Sequence, residues 1–415
     1  MTDLTAISLF TGVGGLDLGF EAAGFRTAAA VEMDPAACRA LRAARPEWPV
    51  LEGDIHRTPT DAILAAAGLA PGEADILIGG PPCQPFSKSG YWARGDALRL
   101  DDPRAGTLGE YLRVLREARP RAFLLENVPG LGFRGKDEGL RLILDGIRQL
   151  NEAAGTNYRV AWRKLNAVDY GVPQMRERLI LIAARDGREF RFPEPTHADP
   201  AAMEPGDARE PWRTAWDALG DLPAQPNERG LEMGGKWAAL LPSIPEGQNY
   251  LWHTSRGGGM SLFGWRRRYW SFLLKLAKDR PSWTIQAQPG SAIGPFHWKS
   301  RKLSTLELCR LQTLPRDVAL ACGRTDAQRL LGNAVPSLLA EVLGRAIREQ
   351  LLDAPLRTPL QLMPPRRTKV PAPEPIAGVP SRYLGMIGDH ADHPGTGLGW
   401  GSTARGQERA LVAGE

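Results

Sequence analysis

Cysteine and histidine are both scarce in this chain, with four cysteines and six histidines in 415 residues. The cysteines are Cys38, Cys83, Cys309 and Cys322. No two are spaced as a zinc knuckle, and so few in so long a chain give no disulfide framework. No metal is therefore expected, and a reducing, cytoplasmic setting is the simplest expectation. No histidine stands near Cys83 in a recognised hydrolase pattern, which argues against a thiol hydrolase. There is no run of about 18 apolar residues, so no spanning helix and no membrane partner are expected. The first residues, MTDLTAISLFTGVGG, have no basic segment ahead of their apolar stretch. That stretch leads directly into a glycine turn and reads as a first strand, not a secretory signal. No internal repeat is visible.

What is present is the composition of an ordinary globular protein, 43% hydrophobic and 24% charged, long enough for one large domain and a smaller one. The net charge of +5 suits a polyanionic partner without requiring one. Up to about residue 185, short β-rich runs alternate with helix-like stretches. AISLF, TAAAVEM, ADILIGG, RAFLLENV and RLILIAA are the clearest strands. Their near-continuous apolar character suits strands covered on both faces. PAACRALRAA and TLGEYLRVLREA have helical spacing. The fold class expected is α/β, a doubly wound, mostly parallel sheet with a smaller irregular domain.

The texture changes near residue 190. Proline and glycine punctuate the chain from there on, and eight of the 12 tryptophans fall between Trp212 and Trp298. Helical patterns return with LSTLELCRLQTL and VPSLLAEVLGRAIREQLL. The expected division is a catalytic and cofactor domain over 1–190, a second domain over 191–285, and a return to the first over 286–354. Residues 355–415, rich in proline and then glycine and without apolar periodicity, read as a disordered tail.

Gly12, Gly14 and Gly15 follow the first strand, where glycine permits a tight turn and lets a ligand lie against bare backbone. Such turns are also common as plain structure. Glu32 closes the next strand, twenty positions after Gly12, and can accept from ribose hydroxyls. Asp54 ends a third short strand and can accept from an adenine amine. The glycine set is G-x-G-G, not the G-x-G-x-x-G of nicotinamide enzymes, and no basic cluster waits for a pyrophosphate. S-adenosylmethionine, which has ribose and adenine but no phosphate, fits better.

GGPPCQPFS places Cys83 at the carboxyl end of a strand, between prolines that make a poor core but a stiff loop. A thiolate there is a strong nucleophile. LLENVPG brings Glu126 and Asn127 to the same sheet edge. A carboxylate beside a nucleophilic thiol makes sense if it is protonated and works as an acid. In DYGVPQMRERLILIAA, Gln174, Arg176 and Arg178 lie just before or on a strand, the two arginines on one side of it. Arginine forks suit phosphate or a polarised carbonyl.

FTGVGG, GGPPCQPFS, ENVPG, QMRER and GNAVP occur in the order and rough spacing of the DNA cytosine-5 methyltransferase family, which the chain resembles over about residues 6 to 350. DDPRAGTL, with Asp102, Arg104 and Leu108, resembles a further block with a one-residue insertion, and Thr11 stands where alanine or serine is commoner. The resemblance implies the fold of S-adenosylmethionine-dependent methyltransferases. It also implies that Cys83 attacks C6 of a flipped-out cytosine, Glu126 protonates N3 and Arg176 binds the base carbonyl, with Asn127 and Arg178 in the same catalytic set. Phe10, Gly12, Gly14, Glu32, Asp54, Ile55, Pro82 and Leu108 would line the cofactor pocket, with Asn333 and Val335 closing it. Residues 191–285 would recognise the target. Gln84, Ser87, Gln174, Arg256, Arg266 and Arg267 are the expected DNA contacts, and His297, Lys299, Arg301 and Lys302 a phosphate patch. The implied partner is double-stranded DNA, met by a monomer in the bacterial cytoplasm at the nucleoid, with a cognate restriction endonuclease acting separately. An RNA methyltransferase of the tRNA-modifying branch, which shares these blocks, is the alternative.

Overall fold

The structure is a computed structural model and describes residues 4–82, 106–132, 138–266 and 269–392. Cys83, Gln84, Ser87, Asp102, Arg104 and Arg267 lie outside the described residues. The chain divides into two compact units. The first comprises Met1–Pro226, Asp279–Gln288 and Ser304–Lys369; the second comprises Asn227–Lys278, Pro289–Leu303 and Val370–Glu415.

The first unit is built on seven strands: β1 (Leu4–Leu9), β2 (Phe25–Glu32), β3 (Val50–Glu52), β4 (Ile76–Gly79), β5 (Ala122–Asn127), β6 (Ala161–Asn166) and β7 (Glu177–Ala184). Their order in the sheet is β3-β2-β1-β4-β5-β7-β6. All pairs are parallel except the two that β7 makes with β5 and β6. The strand order reverses between β1 and β4, and the loops at the carboxyl ends of β1, β2, β4 and β5 gather around that point. This is where an open α/β sheet leaves a crevice for a ligand.

The strands read as unbroken apolar runs because both faces are covered. In β5, Phe123 and Leu125 join the core on one side, while Ala122 and Leu124 join the core on the other. Leu179 and Leu181 of β7 alternate in the same way with Ile180 and Ile182. The first side is roofed by α3 (Thr60–Ala67), α4 (Gly106–Ala118) and α5 (Glu138–Ala154). Its other α-helices among the described residues are α1 (Gly15–Ala22), α2 (Pro35–Ala44), α6 (Ala215–Leu219), α7 (Thr305–Leu311), α8 (Arg324–Asn333) and α9 (Ser337–Leu351), α1 and α9 roofing the second side.

Helix starts follow ordinary capping chemistry. Asp34 accepts from the N–H groups of Ala36 and Ala37 at 2.8 and 3.3 Å, with Pro35 in the first turn of α2. Thr214 with Asp217, and Ser304 with Glu307, form reciprocal capping boxes at α6 and α7. α1 and α9 meet through glycine. A Cβ on Gly19 would overlap the backbone oxygen of Ser337, and one on Gly344 would come within 2.9 Å of Ala23. The stretch Arg324–Leu351 is long and apolar enough to pass for a membrane span, but 67% of its apolar window is buried inside the protein. It breaks between α8 and α9, where Ala334 is extended and Pro336 opens the next helix.

Two expectations are corrected here. Residues 191–226 belong with the sheet, not with the second unit, because Phe190 and Phe192 enter its core and Trp212 donates to Asp169 at 3.1 Å. The segment after 355 has a fixed course through residue 392. Leu360, Leu362 and Met363 pack on the α9 side of the sheet, and the backbone N–H groups of Gln361 and Leu362 donate to Glu341 at 2.7 and 2.9 Å. Sparse apolar anchors and borrowed backbone bonds leave no periodicity to read.

The second unit has little regular structure among its described residues: short single-turn helices, α10 (Ser381–Leu384) and isolated bridges. Its core is aromatic. Trp237, Tyr250, Phe263, Phe272 and Tyr383 form one cluster with ring centroids 5.2 to 6.1 Å apart. Beside it, Lys278 pairs with Glu246 at 2.5 Å and with Glu374 at 3.2 Å, both Lys278 and Glu246 being almost wholly buried.

Candidate active site

The loop leaving β1 is held in conformations that side chains rarely adopt. Phe10, Gly12 and Gly14 have φ of 55°, 60° and 77°. For Phe10 this is strain, kept in place by the structure around it. The Gly12 N–H donates to Glu32 Oε2 at 2.7 Å, and the N–H groups of Met33 and Asp34 donate to Oε1, each at 2.8 Å. Glu32 therefore ties the glycine loop to the end of β2. Nothing lies within 4 Å of a Cβ built on Gly12, so the loop presents open backbone there. On its other side, a Cβ on Gly15 would overlap the Val335 oxygen, which puts the segment after α8 against the loop. Asp54 caps the single turn Ile55–Arg57 and accepts from the His56 ring at 2.8 Å, which lowers its carboxyl from the usual range.

Beneath the loop is a buried acid that sequence reading passed over. Asp17, in the first turn of α1, is fully buried, and neither carboxyl oxygen has an aligned hydrogen-bond partner among the described residues. Burial raises its pKa to about 7 against a smaller opposing pull from the Ser8 hydroxyl.

β4 and β5 deliver the second half of the site. Glu126 is the penultimate residue of β5, and its carboxylate forms an ion pair with Arg178 on neighbouring β7, Oε1 to Nε at 2.5 Å. Both side chains are nearly buried. Burial raises the Glu126 carboxyl above its ordinary range, with Arg178 and then Arg176 pulling the other way. The other carboxyl oxygen lies over Gly80, where a Cβ would come within 2.6 Å of it. The glycine doublet therefore has a packing reason: Gly80 makes room for Glu126, and Gly79 for the Tyr111 ring at 3.0 Å and the Leu9 oxygen at 2.8 Å.

The peptide that leads into Cys83 is held at two points. Asn127 Nδ2 donates to the Pro81 oxygen at 3.2 Å, and the Thr107 hydroxyl donates to the Pro82 oxygen at 3.2 Å. Thr107 escaped sequence reading because nothing local marks a hydroxyl at the start of a helix as a clamp for a loop 25 residues earlier.

Several expected residues have other work. Arg176 is fully buried, and its guanidinium donates to the oxygens of Ile285 at 3.2 Å and Gly332 at 2.7 Å. Gln174, expected on the DNA face, is also fully buried. It accepts from the Ile285 N–H at 3.0 Å and donates to the Leu311 oxygen at 3.2 Å. Arg176 and Gln174 thus sew the segments around 285, 311 and 332 to the strand bearing Arg178. Leu108 and Ile55 sit in the core below the sheet edge. Pro82 and Asn333 are exposed, and Val335 is buried against the α1 side.

In the second unit, Arg256 and Arg266 are exposed. The glycines after Arg256 are explained by Trp252: a Cβ on Gly258 or Gly259 would come within 2.7 or 2.6 Å of its indole. The expected phosphate patch is partly turned inward. His297 is buried, Lys299 faces Glu374 at 3.8 Å and Lys302 donates to the Gly230 oxygen at 3.3 Å.

Comparison with known proteins gives the same picture. The family model for the C-5 cytosine-specific DNA methylase matches residues 4–349. The chain is 40% identical over 373 residues to the Type II methyltransferase M.SacI of Streptomyces achromogenes, covering 84% of this chain and 94% of that one. It is 32% identical over 354 residues to the Type II methyltransferase M1.HphI of Haemophilus parahaemolyticus, covering 83% and 86%. The solved structure of the Entamoeba histolytica methyltransferase EhMeth has the same fold, with a TM-score of 0.55 at 13% identity over 85% of this chain and 99% of that one. A family model spanning most of the chain and a relative 40% identical over nearly its whole length make this a DNA cytosine-5 methyltransferase, and the chain belongs to the C-5 cytosine-specific DNA methylase family.

Proposed function

We propose that the chain methylates C5 of a cytosine rotated out of double-stranded DNA, with S-adenosylmethionine as donor and Cys83 as nucleophile. The observation that carries this is Glu126, a buried carboxyl with a raised pKa, paired with Arg178 and lying over Gly80 three residues before Cys83. The donor set at the glycine loop fits S-adenosylmethionine: open backbone at Gly12, the carboxylates of Glu32 and Asp54 at neighbouring strand ends, and no lysine or arginine in the loop to meet a pyrophosphate. When bound, that group supplies an electrophilic methyl on its sulfonium.

The chain's own residues do the rest. The Cys83 thiolate forms a bond to C6, the C5–C6 π electrons move into a C4–C5 double bond, and the N3–C4 π pair so displaced takes the proton of Glu126 at N3. Arg178, adjacent to that carboxyl, holds the base O2; Arg176, committed to two backbone oxygens, supports the strand instead. C5 is now electron-rich, the state in which it accepts a methyl. As C5 takes the methyl, N3 returns its proton to Glu126 and the N3–C4 double bond re-forms; loss of the C5 proton to solvent water then breaks the C6–sulfur bond, expels the Cys83 thiolate and restores the C5–C6 double bond. Asn127 and Thr107 fix the peptide that aims the thiol. A base in the stack cannot reach such a site, so the cytosine must leave the duplex at a cost of a few kcal/mol. The setting is the bacterial cytoplasm, the protein a monomer, and the companion a restriction endonuclease of the same target.

Bisulfite sequencing of DNA from cells expressing the chain tests this directly, with methylcytosine expected at one recurrent sequence. Cys83→Ser should abolish the mark while the purified variant still binds S-adenosylmethionine. A variant that still methylates removes the covalent route, and methylation of RNA instead of DNA by the unaltered chain removes the substrate assignment.

A further inference from the structure

The segment Val370–Asp392 lies beyond residue 349, where the match to the family ends, yet it is built into the second unit. Tyr383 stacks on Trp237 with centroids 5.9 Å apart and donates its hydroxyl to the Lys236 oxygen at 2.7 Å. The Ala377 N–H donates to the Pro242 oxygen at 3.1 Å, and the Gly388 N–H to the Ser261 oxygen at 3.2 Å. The segment arrives at Asp392, whose Oδ2 is 2.8 Å from Arg256 Nη2 and whose Oδ1 accepts from the Trp265 backbone N–H at 2.9 Å. The Arg256 guanidinium lies over the Trp265 ring, 4.3 Å from its centroid.

One guanidinium is thus held by a carboxylate and lies over the ring of a residue whose backbone N–H the same carboxylate accepts from, while the Arg256 side chain stays 51% exposed. An ion pair this exposed adds little to fold stability. What the arrangement does achieve is orientation, since a surface arginine otherwise samples many rotamers. Asp392 engages one of five N–H donors, which leaves enough for a two-pronged contact with guanine O6 and N7. The same unit exposes Met260, Arg266, Tyr269 and Trp270, a basic and aromatic surface. A carboxylate on a surface that meets a polyanion is unfavourable unless it acts through a neighbouring cation.

We propose that Arg256 reads a guanine in the target sequence and that Asp392, delivered by the C-terminal segment, is its positioning residue. This rests on the DNA-methylating reading above. The test is methylation of a duplex library randomised around the cytosine, with each enzyme's preference read by sequencing. Arg256→Ala and Arg256→Lys should each lower the preference for guanine at one position by about five- to 150-fold, the lysine losing the fork but keeping the charge. Asp392→Ala should relax the same position and no other, and the double variant should match Arg256→Ala. Asp392→Asn, which can still accept from the Trp265 N–H, should fall between. Melting curves and S-adenosylmethionine binding check that each variant is folded. A uniform loss of activity without a change in preference, or relaxation at different positions by the two single variants, would overturn the proposal. If the unaltered chain methylates no DNA, the functional reading fails as well; variants that retain the wild-type preference remove this proposal alone.

Discussion

In the proposed mechanism Glu126 acts as an acid while sitting against an arginine. Burial favours its neutral form and Arg178 its charged form, and burial prevails. On the proposed mechanism, the form able to donate to N3 is lost as pH rises through the raised pKa, while the Cys83 thiolate is lost as pH falls. Single-turnover rate should trace a bell, and Glu126→Gln should abolish its alkaline limb and slow methyl transfer by about 10²–10⁴-fold. An alkaline limb that survives in the variant would assign it to another group. Asp17 gives a stability prediction of its own. Its native pKa of about 7 exceeds the ordinary 3.8, so the native state keeps a proton that the unfolded chain releases. The resulting stabilisation is complete below about pH 4 and lost as pH rises to neutrality, a change on the order of 2–4 kcal/mol. Asp17→Asn should raise the melting temperature more at pH 8 than at pH 5; equal shifts at both would show that the carboxyl is not protonated in the fold. Neither the arginine assignment nor this acid was legible in the sequence. The Gln-x-Arg-x-Arg spacing puts both arginines on one side of a strand, but only the three-dimensional course of residues 285 and 332 decides which of them is already satisfied.

At the level of elements, five of the seven strands could be read from their apolar runs, since a strand buried on both faces has no polar alternation. β6 could not. It is an edge strand whose Trp162, Arg163 and Lys164 are exposed, so its pattern is that of a loop. The reversed direction of β7 was equally hidden, because an apolar run does not say which way it points. The α1–α9 contact shows how packing overrides propensity. Alanine at Gly19 would gain about 0.8–1 kcal/mol of helix propensity. Its Cβ would also meet the Ser337 oxygen and crowd Ala340, and overpacking of that kind costs about 1–3 kcal/mol. Gly19→Ala should therefore lower stability in denaturant titration, and an increase would mean that the two helices separate at little cost.

For the whole molecule, the sharpest departure from expectation is the segment after residue 355. Its prolines suggested disorder, but proline also reduces the entropy that an extended chain loses on docking. A chain ending at residue 354 should lose the Tyr383 stack, the Glu374 contact with Lys278 and the Asp392 contact with Arg256. Its melting temperature should drop and its surface should bind hydrophobic dye; retention of wild-type stability and target preference would return the segment to the status of a tail. The course of the chain through the second unit has a further consequence for protein engineering. That unit is assembled from Asn227–Lys278, Pro289–Leu303 and a third stretch that begins at Val370. Grafting that unit into another methylase by exchanging one continuous cassette would leave the third stretch behind, so a complete graft exchanges three stretches, one of them beyond residue 349, where the match to the family ends.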